Sequence, residues 1–416
     1  MNLDSLKSDH IGLCVSGGLD SRTVAKRLRQ EGLKVTCFTA DLAQPDEVNI
    51  EAIRDKMAPC DVETVIVDLK QDMAHETMRL LKSLARYDGG YWNTTGLARA
   101  VTVRGLLGAM QERGITVLAH GATGRGNDQV RFERYTAMLA PHIRVYAPWR
   151  DPQLLAEFPG RTQMAQYLHS FGIPAPVGTK KKYSTDANLA GLSHEAEDLE
   201  HLDTPVTIVD PIMGVWPQQA PDQPETVTVS FEQGTPIVIN GERLLPLELI
   251  QRANVLAGRN GVWMKNALEN RIVGTKSRGV YEAPGLELLG FCLEQLYQAT
   301  LDKRSTALFR YLSQLVADHI YDGRYFEPST QVALHAIDEL ARFATGTISV
   351  SLYKGNCQLL SITDVAGSLY NEADSSMEES NGLNPVSSQG FVDIQRVEAV
   401  ALSKAGQILG GKPVGL

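Results

Sequence analysis

Cysteine is scarce and unpatterned. The five cysteines, at 14, 37, 60, 292 and 357, form no CxxC pair, which excludes a disulfide frame or zinc ribbon and points to reduced thiols in the cytoplasm. Basic charge is short as well: 40 Lys and Arg stand against 49 Asp and Glu, a net charge of −9, with no long basic tract. A general binder of nucleic acid or of an anionic membrane needs the opposite balance. No apolar run nears the roughly 20 residues of a membrane helix, and the polar start, Met-Asn-Leu-Asp-Ser, has no signal-peptide core. The nine histidines lack metal-ligand spacing, so no metal ligands are expected from the protein. No internal repeat is found. What is present is a chain of 416 residues, 43% hydrophobic, long enough for two or three soluble domains.

The most informative stretch is Ile11-Gly-Leu-Cys-Val-Ser-Gly-Gly-Leu-Asp-Ser-Arg22. Its apolar start, Ile11, Leu13 and Val15, predicts a buried parallel strand. Ser16-Gly17-Gly18 turns the chain, and Asp20 or Ser21 can cap the helix that follows. Paired glycines let the backbone approach an anion, and the N–H groups of the loop and first helical turn then face it. An anion so placed gains about 0.3–1 kcal/mol when exposed and up to about 2 when partly buried. The absence of Gly-Lys-Ser/Thr excludes a Walker loop. The stretch resembles instead the Ser-Gly-Gly-x-Asp-Ser loop of ATP pyrophosphatases, which split ATP between its α- and β-phosphates. A structural strand–turn–helix corner would carry the same glycines.

Helical patterns over 22–32, 50–57, 73–85 and 97–112 alternate with apolar strands over 35–40, 62–69 and 115–120. That alternation predicts an α/β fold with a doubly wound parallel sheet. Ligands of such sheets lie beyond the C-terminal strand ends, where Ser16 to Ser21, Ala40 and Asp41 fall. The stretch 87–99, polar and aromatic, reads as a site loop. The strand at 115–120 runs into Gly121-Ala-Thr-Gly-Arg-Gly-Asn-Asp-Gln-Val-Arg-Phe-Glu133. Its glycines suit a loop wrapped around a ligand; Asn127, Asp128 and Arg131 offer an amide, a carboxylate and a fork for recognition. Further on, 227–231 with 236–240 and 347–353 with 358–362 read as hairpins, the second turning at Lys354-Gly355-Asn356. Helices are expected over 245–257, 286–316 and 394–408. Lys180-Lys181-Lys182 reads as a solvated loop rather than a phosphate clamp, and 373–390 is polar.

Taken with Ser16 to Ser21, the stretch 121–133 resembles argininosuccinate synthase. The similarity continues through Ala147-Pro148-Trp149-Arg150, the run 268–285 and Ser368-Leu369-Tyr370-Asn371. It implies an N-type, HUP-like ATP pyrophosphatase domain over 1–170 and an α+β synthetase domain over 171–364. A C-terminal tail over 365–416 would reach into neighbouring subunits of a homotetramer. Pro174 and Pro176 independently suggest a linker near 170. The resemblance implies a ligase of arginine biosynthesis that joins citrulline to aspartate with ATP and Mg²⁺, releasing AMP and pyrophosphate. In such a mechanism the ureido oxygen attacks the α-phosphorus, and the aspartate amine then displaces AMP. Positioning and charge stabilisation, not a nucleophilic side chain, carry this chemistry.

Site residues follow from matching positions. Val15, Ser16, Gly17, Gly18, Leu19, Asp20, Ser21, Ala40, Arg99, His120, Gly121, Thr123, Gly124, Gly126 and Asp186 match nucleotide and pyrophosphate ligands. Thr123, Asn127 and Asp128 match aspartate ligands. Tyr91, Thr95, Asn127, Arg131, Ser184, Ser193, Glu195, Glu269 and Tyr281 match the citrulline side. Asp20 and Asp128 are the expected catalytic residues, Asp128 as acceptor of the ammonium proton. The chain also departs from the family. Gly96 stands for a serine, Ala100 for a proline, Ala187 for an acid, Trp263-Met-Lys-Asn266 for Gly-Arg-Ile-Asp, and Arg22 for a small hydroxyl residue. One lost hydroxyl costs about 0.5–1.5 kcal/mol, enough to change acceptor preference. Two alternatives therefore stay open: a relative that ligates aspartate to another ureido or carbonyl compound, and a non-catalytic nucleotide-binding homologue.

Overall fold

The computed structural model describes residues 2–124, 126–175, 183–262, 264–376, 384–408 and 410. Arg125, Pro176, Val177, the three lysines at 180–182, Trp263 and part of 373–390 fall outside them. The chain divides into two units, Met1–Gly367 and Ser368–Leu416.

Strands β1 (His10–Cys14), β2 (Lys34–Asp41), β3 (Glu63–Asp68), β4 (Val117–Ala119) and β5 (Arg144–Tyr146) form a parallel sheet. Their order is β3-β2-β1-β4-β5, a doubly wound parallel sheet as the alternation predicts; β5 has no counterpart in the sequence reading. In β2 the six residues 35–40 are all buried, the mark of a strand covered on both faces. The winding direction reverses between β1 and β4, which lie side by side, so the crevice expected of such sheets opens beyond their C-terminal ends. Both glycine-rich loops start there. Three helices frame it: α1 (Leu19–Gln30), α2 (Thr94–Gln111) and α3 (Asp128–Leu139). In α2 Leu97, Val101, Val103, Leu106 and Met110 are buried all round the helix, so the sheet and its neighbours leave it little polar face.

A second sheet faces the crevice. Strands β6 (Ser184–Asn188), β7 (Gly191–Glu195), β8 (Met264–Asn270) and β9 (Lys276–Glu282) pair antiparallel in the order β8-β9-β7-β6. A third, five-stranded sheet holds the two expected hairpins. Lys354 and Gly355 both have positive φ, 42° and 85°, as a two-residue hairpin turn demands.

The continuous helix expected over 286–316 is instead two, Pro284–Thr300 and α4 (Lys303–Tyr321). Asp302 is the reason. Its Oδ1 accepts from the backbone N–H of Arg304 at 2.8 Å and of Ser305 at 3.2 Å, starting a new helix. The helix Pro328–Ala341 and strands β6 and β7 have no counterpart in the sequence reading. In the second unit the helix is Pro385–Lys404, not 394–408; Asn384 caps it by accepting from Val386 N at 3.0 Å. Asp302→Ala should lower the urea midpoint through loss of the helix cap; an unmoved midpoint would contradict the capping role.

Candidate active site

Two cavities meet beyond the ends of β1 and β4. One, of about 390 Å³, is lined by Val15, Ser16, Asp20, Ser21, Ala40 and Arg99 among others. The other, of about 280 Å³, is lined by Tyr91, Thr95, Thr123, Gly126, Asn127, Arg131, Glu195, Glu269 and Tyr281. Gly121, Ala122, Asp128 and Asp186 belong to both walls. The first cavity therefore collects most matches to nucleotide ligands and the second most matches to amino-acid ligands, with a common partition; Gly126, a nucleotide match, and Thr123, matched to both, line only the second.

The first loop is built for an anion. Gly17 has φ +72°, and a Cβ there would lie 3.1 Å from Lys56 Cδ. The expected cap by Asp20 or Ser21 is absent: Gly18 is the N-cap with no side-chain cap, and Ser21 Oγ donates to the Gly18 carbonyl at 3.2 Å. A glycine turn leaves the first amides of α1 open to a ligand, which a capping side chain would occupy.

Charge concentrates at the partition. Arg99 Nε donates to Asp128 Oδ2 at 2.9 Å and its other arm holds Asp186; Arg131 donates to Asp128 Oδ1 at 3.0 Å. Burial would raise the Asp128 carboxyl, but Arg99 and Arg131 outweigh it and hold it below the ordinary value. Such a group attracts an ammonium yet is a poor acceptor of its proton, which works against the expected role of Asp128 as base. Burial, opposed by Arg99 and aided by the Asp128 charge, raises the Asp186 carboxyl. His120 is buried beneath the second loop, where burial and Arg150 lower it to about 4. It stays neutral, and its Nδ1 accepts from Ala122 N–H at 3.3 Å, shaping the loop.

The second cavity is walled by tyrosines around one carboxylate. Glu269 Oε2 accepts from Tyr91 and, at 2.9 Å, from Tyr281; Oε1 accepts from Tyr321 at 2.7 Å and Ser277 at 3.2 Å. Tyr91 stacks on Tyr281 and Tyr87 on Tyr321, with ring centroids 3.7 and 3.8 Å apart. Asn127 Nδ2 donates to Tyr321 Oη at 2.8 Å and its Oδ1 accepts from Ile272 N at 3.0 Å. Tyr321 thus ties α4 to residues on both substrate sides.

Not every expected residue reaches a cavity. Gly17, Gly18 and Gly124 shape the loops, and Leu19 and His120 are buried beneath them. Ser193 is buried in β7, and Ser184 opens β6 opposite Glu195; neither lines either cavity. Asn93, Arg271 and Tyr321 line the second cavity without having been expected. Arg271 was within reach, two residues beyond Glu269; Tyr321 ends an ordinary amphipathic helix and gave no signal. The departures fall elsewhere. Arg22 donates to the Pro174 carbonyl at 2.7 Å, Ala100 is buried in α2, and Ala187 lines the first cavity. Met264, Lys265 and Asn266 line a separate cavity with Glu287. Gly96 is the exception, beside the second cavity: its N–H donates to the capping Asn93 Oδ1 at 2.9 Å. Thr95, next to it, lines that cavity.

Residues 10–174 match the family model described as Arginosuccinate synthase N-terminal HUP domain, and 183–402 the Arginosuccinate synthase C-terminal domain. The chain is 38% identical over 386 residues to the argininosuccinate synthase of Rhodopirellula baltica, covering 92% of this chain and 95% of that protein.

A pH test follows from Glu195. Burial, with Glu269, Asp128 and Asp186 nearby, raises its carboxyl from the ordinary 4.5 to about 7. The folded chain therefore holds a proton that the unfolded chain releases. Its contribution to stability is complete below about pH 4.5 and is lost as pH rises through about 7. Glu195→Gln should gain stability over the parent at pH 8 and little at pH 5, read from urea midpoints; equal offsets at both pH values would contradict this environment.

Proposed function

Because the chain belongs to the argininosuccinate synthase family, we propose that it joins citrulline to aspartate with ATP, releasing argininosuccinate, AMP and pyrophosphate. It is an AMP-forming carbon–nitrogen ligase of arginine biosynthesis. The observation that carries the site assignment is the common partition: the two cavities share Gly121, Ala122, Asp128 and Asp186. A nucleotide in one and a ureido group in the other would bring α-phosphorus and oxygen together.

In this reading Ser16 to Ser21 hold the pyrophosphate, and Ala40, Arg99, the 121–126 loop and Asp186 hold the remainder of the nucleotide. The open α1 amides stabilise charge as pyrophosphate departs. Thr123, Asn127 and Asp128 bind aspartate, the ionised Asp128 attracting its ammonium. Tyr91, Thr95, Asn127, Arg131, Glu195, Glu269 and Tyr281 hold the acceptor, with Ser184 and Ser193 in support; Glu269 suits an ammonium, and its tyrosine donors would turn to the ligand. Bound Mg²⁺ would neutralise phosphate charge. Asp20, on the wall of the first cavity, is the carboxylate that would hold it there.

The positions of the departures favour citrulline over a different acceptor, since most lie away from the second cavity. Domain limits of 1–170, 171–364 and 365–416 belong to the same proposal, as does a cytoplasmic homotetramer. Exposed Phe391, Ile394 and Val397 on the Pro385–Lys404 helix support a subunit-binding tail. Among the described residues no helix is long and apolar enough to cross a membrane.

Pyrophosphate release with ATP and aspartate should require citrulline; equal release with other ureido acids would favour the altered-acceptor reading. Thr95→Val should raise the citrulline KM about tenfold, the effect of losing a hydrogen bond of ~1–1.5 kcal/mol, and leave the ATP KM unchanged. Asp128→Asn should raise the aspartate KM or lower kcat steeply, and unchanged kinetics would reject its role.

A further inference from the structure

Four carboxylates, of Asp128, Asp186, Glu195 and Glu269, line the second cavity with two guanidinium groups, of Arg131 and Arg271. Arg131 is committed: it donates to Asp128 Oδ1 and to the Tyr321 carbonyl, each at 3.0 Å. Arg271 is half-buried, and among the described residues nothing accepts from its guanidinium. Glu269, two residues earlier, has its oxygens taken by three tyrosines and Ser277. Arg271 also lines a further cavity of about 290 Å³ with Arg134, Arg324 and Asp322. There Glu327 holds both other arginines, and Asp322 lies 3.9 Å from Arg324.

The backbone that carries this free side chain is fixed. Arg271 follows β8 in the turn to β9. Its N–H donates to the Thr275 carbonyl at 2.8 Å, and its carbonyl accepts from Gly274 N–H at 2.9 Å. On one side Asn270 donates its backbone and side-chain N–H groups to Asp88 Oδ2 at 2.8 and 2.7 Å. On the other Ile272 donates its N–H to Asn127 Oδ1 at 3.0 Å. The root of the guanidinium is therefore pinned beside Asn127, one of the three matches to aspartate ligands.

We propose that Arg271 holds a carboxylate of aspartate and so selects a dicarboxylic amine donor, an assignment that rests on the ligase reading above. Aspartate brings two carboxylates to walls that already carry four. Thr123, Asn127 and Asp128 offer it a hydroxyl, an amide and an anion, but no cation. Arg131 matches the acceptor side and is spent on Asp128. A substrate carboxylate left among these acids without a cation would be repelled. A guanidinium with its donors free takes a carboxylate through two parallel N–H bonds, and among the described residues of these walls Arg271 alone has them free. With Asp128 on the ammonium and Arg271 on a carboxylate, two opposite charges orient the amine in the enclosure.

The two substrates separate in an assay. Positional isotope exchange in ATP with citrulline but no aspartate reports adenylation alone; argininosuccinate formation reports both steps. Arg271→Met should raise the aspartate KM about 10- to 100-fold, the loss of a hydrogen-bonded charge partner. The citrulline and ATP KM values and the isotope exchange should stay within about threefold. The urea midpoint should match the parent's, because no contact of the fold uses the side chain. Arg271→Lys should recover part of the aspartate affinity. An aspartate KM that does not move in the Met variant, a citrulline KM or exchange that moves as far as it, or a lowered midpoint overturns the assignment. Parent protein that never exchanges isotope would defeat the ligase reading itself, before Arg271 is altered.

Discussion

Two half-buried carboxylates that both stay charged side by side need cations to offset their repulsion. Arg99 and Arg131 do this for Asp128 and Asp186, and the remainder of the site is arranged around that cluster. Removing one arginine would leave a carboxylate in the enclosure without its partner, a destabilising change. The cluster joins α2, α3 and β6, so it fixes the parallel sheet against the antiparallel one. It also forms the partition between the cavities, which gives the partition a fixed, polar character.

The second cavity obeys a related rule with different means. Among the described residues Glu269 is buried with no paired cation, and hydroxyls do the work that guanidinium groups do at the partition. Tyr91, Tyr281 and Tyr321 orient the carboxylate, the first two stacked on each other and Tyr321 stacked on Tyr87, and a ligand ammonium would complete it. The site thus offers three carboxylate environments within one enclosure, and the distinct chemistry of each follows from its neighbours.

Much of this was legible in the chain. An apolar strand followed by paired glycines gave β1 and its loop, and the same pattern at 115–126 gave β4 and the second loop. The parallel, doubly wound character of the sheet followed from alternation alone. Strand β6 was not legible because Ser184–Asn188 is mostly polar, with Thr185, Asp186 and Ala187 lining a cavity. Tyr321 was hidden for another reason: it meets Asn127 across 194 residues of sequence, and no local pattern encodes such a contact. The uncapped start of α1 was misread because Ser21 is a good cap by type, yet its hydroxyl turns back to the Gly18 carbonyl.

Gly96 carries a consequence for how the chain can diverge. A Cβ at that position would lie 2.5 Å from Asn93 Nδ2, and Asn93 is itself buried and starts α2. The two positions are therefore coupled: a serine at 96 requires the Asn93 side chain to shift, and that side chain also caps α2, so the effect of either substitution depends on the residue at the other.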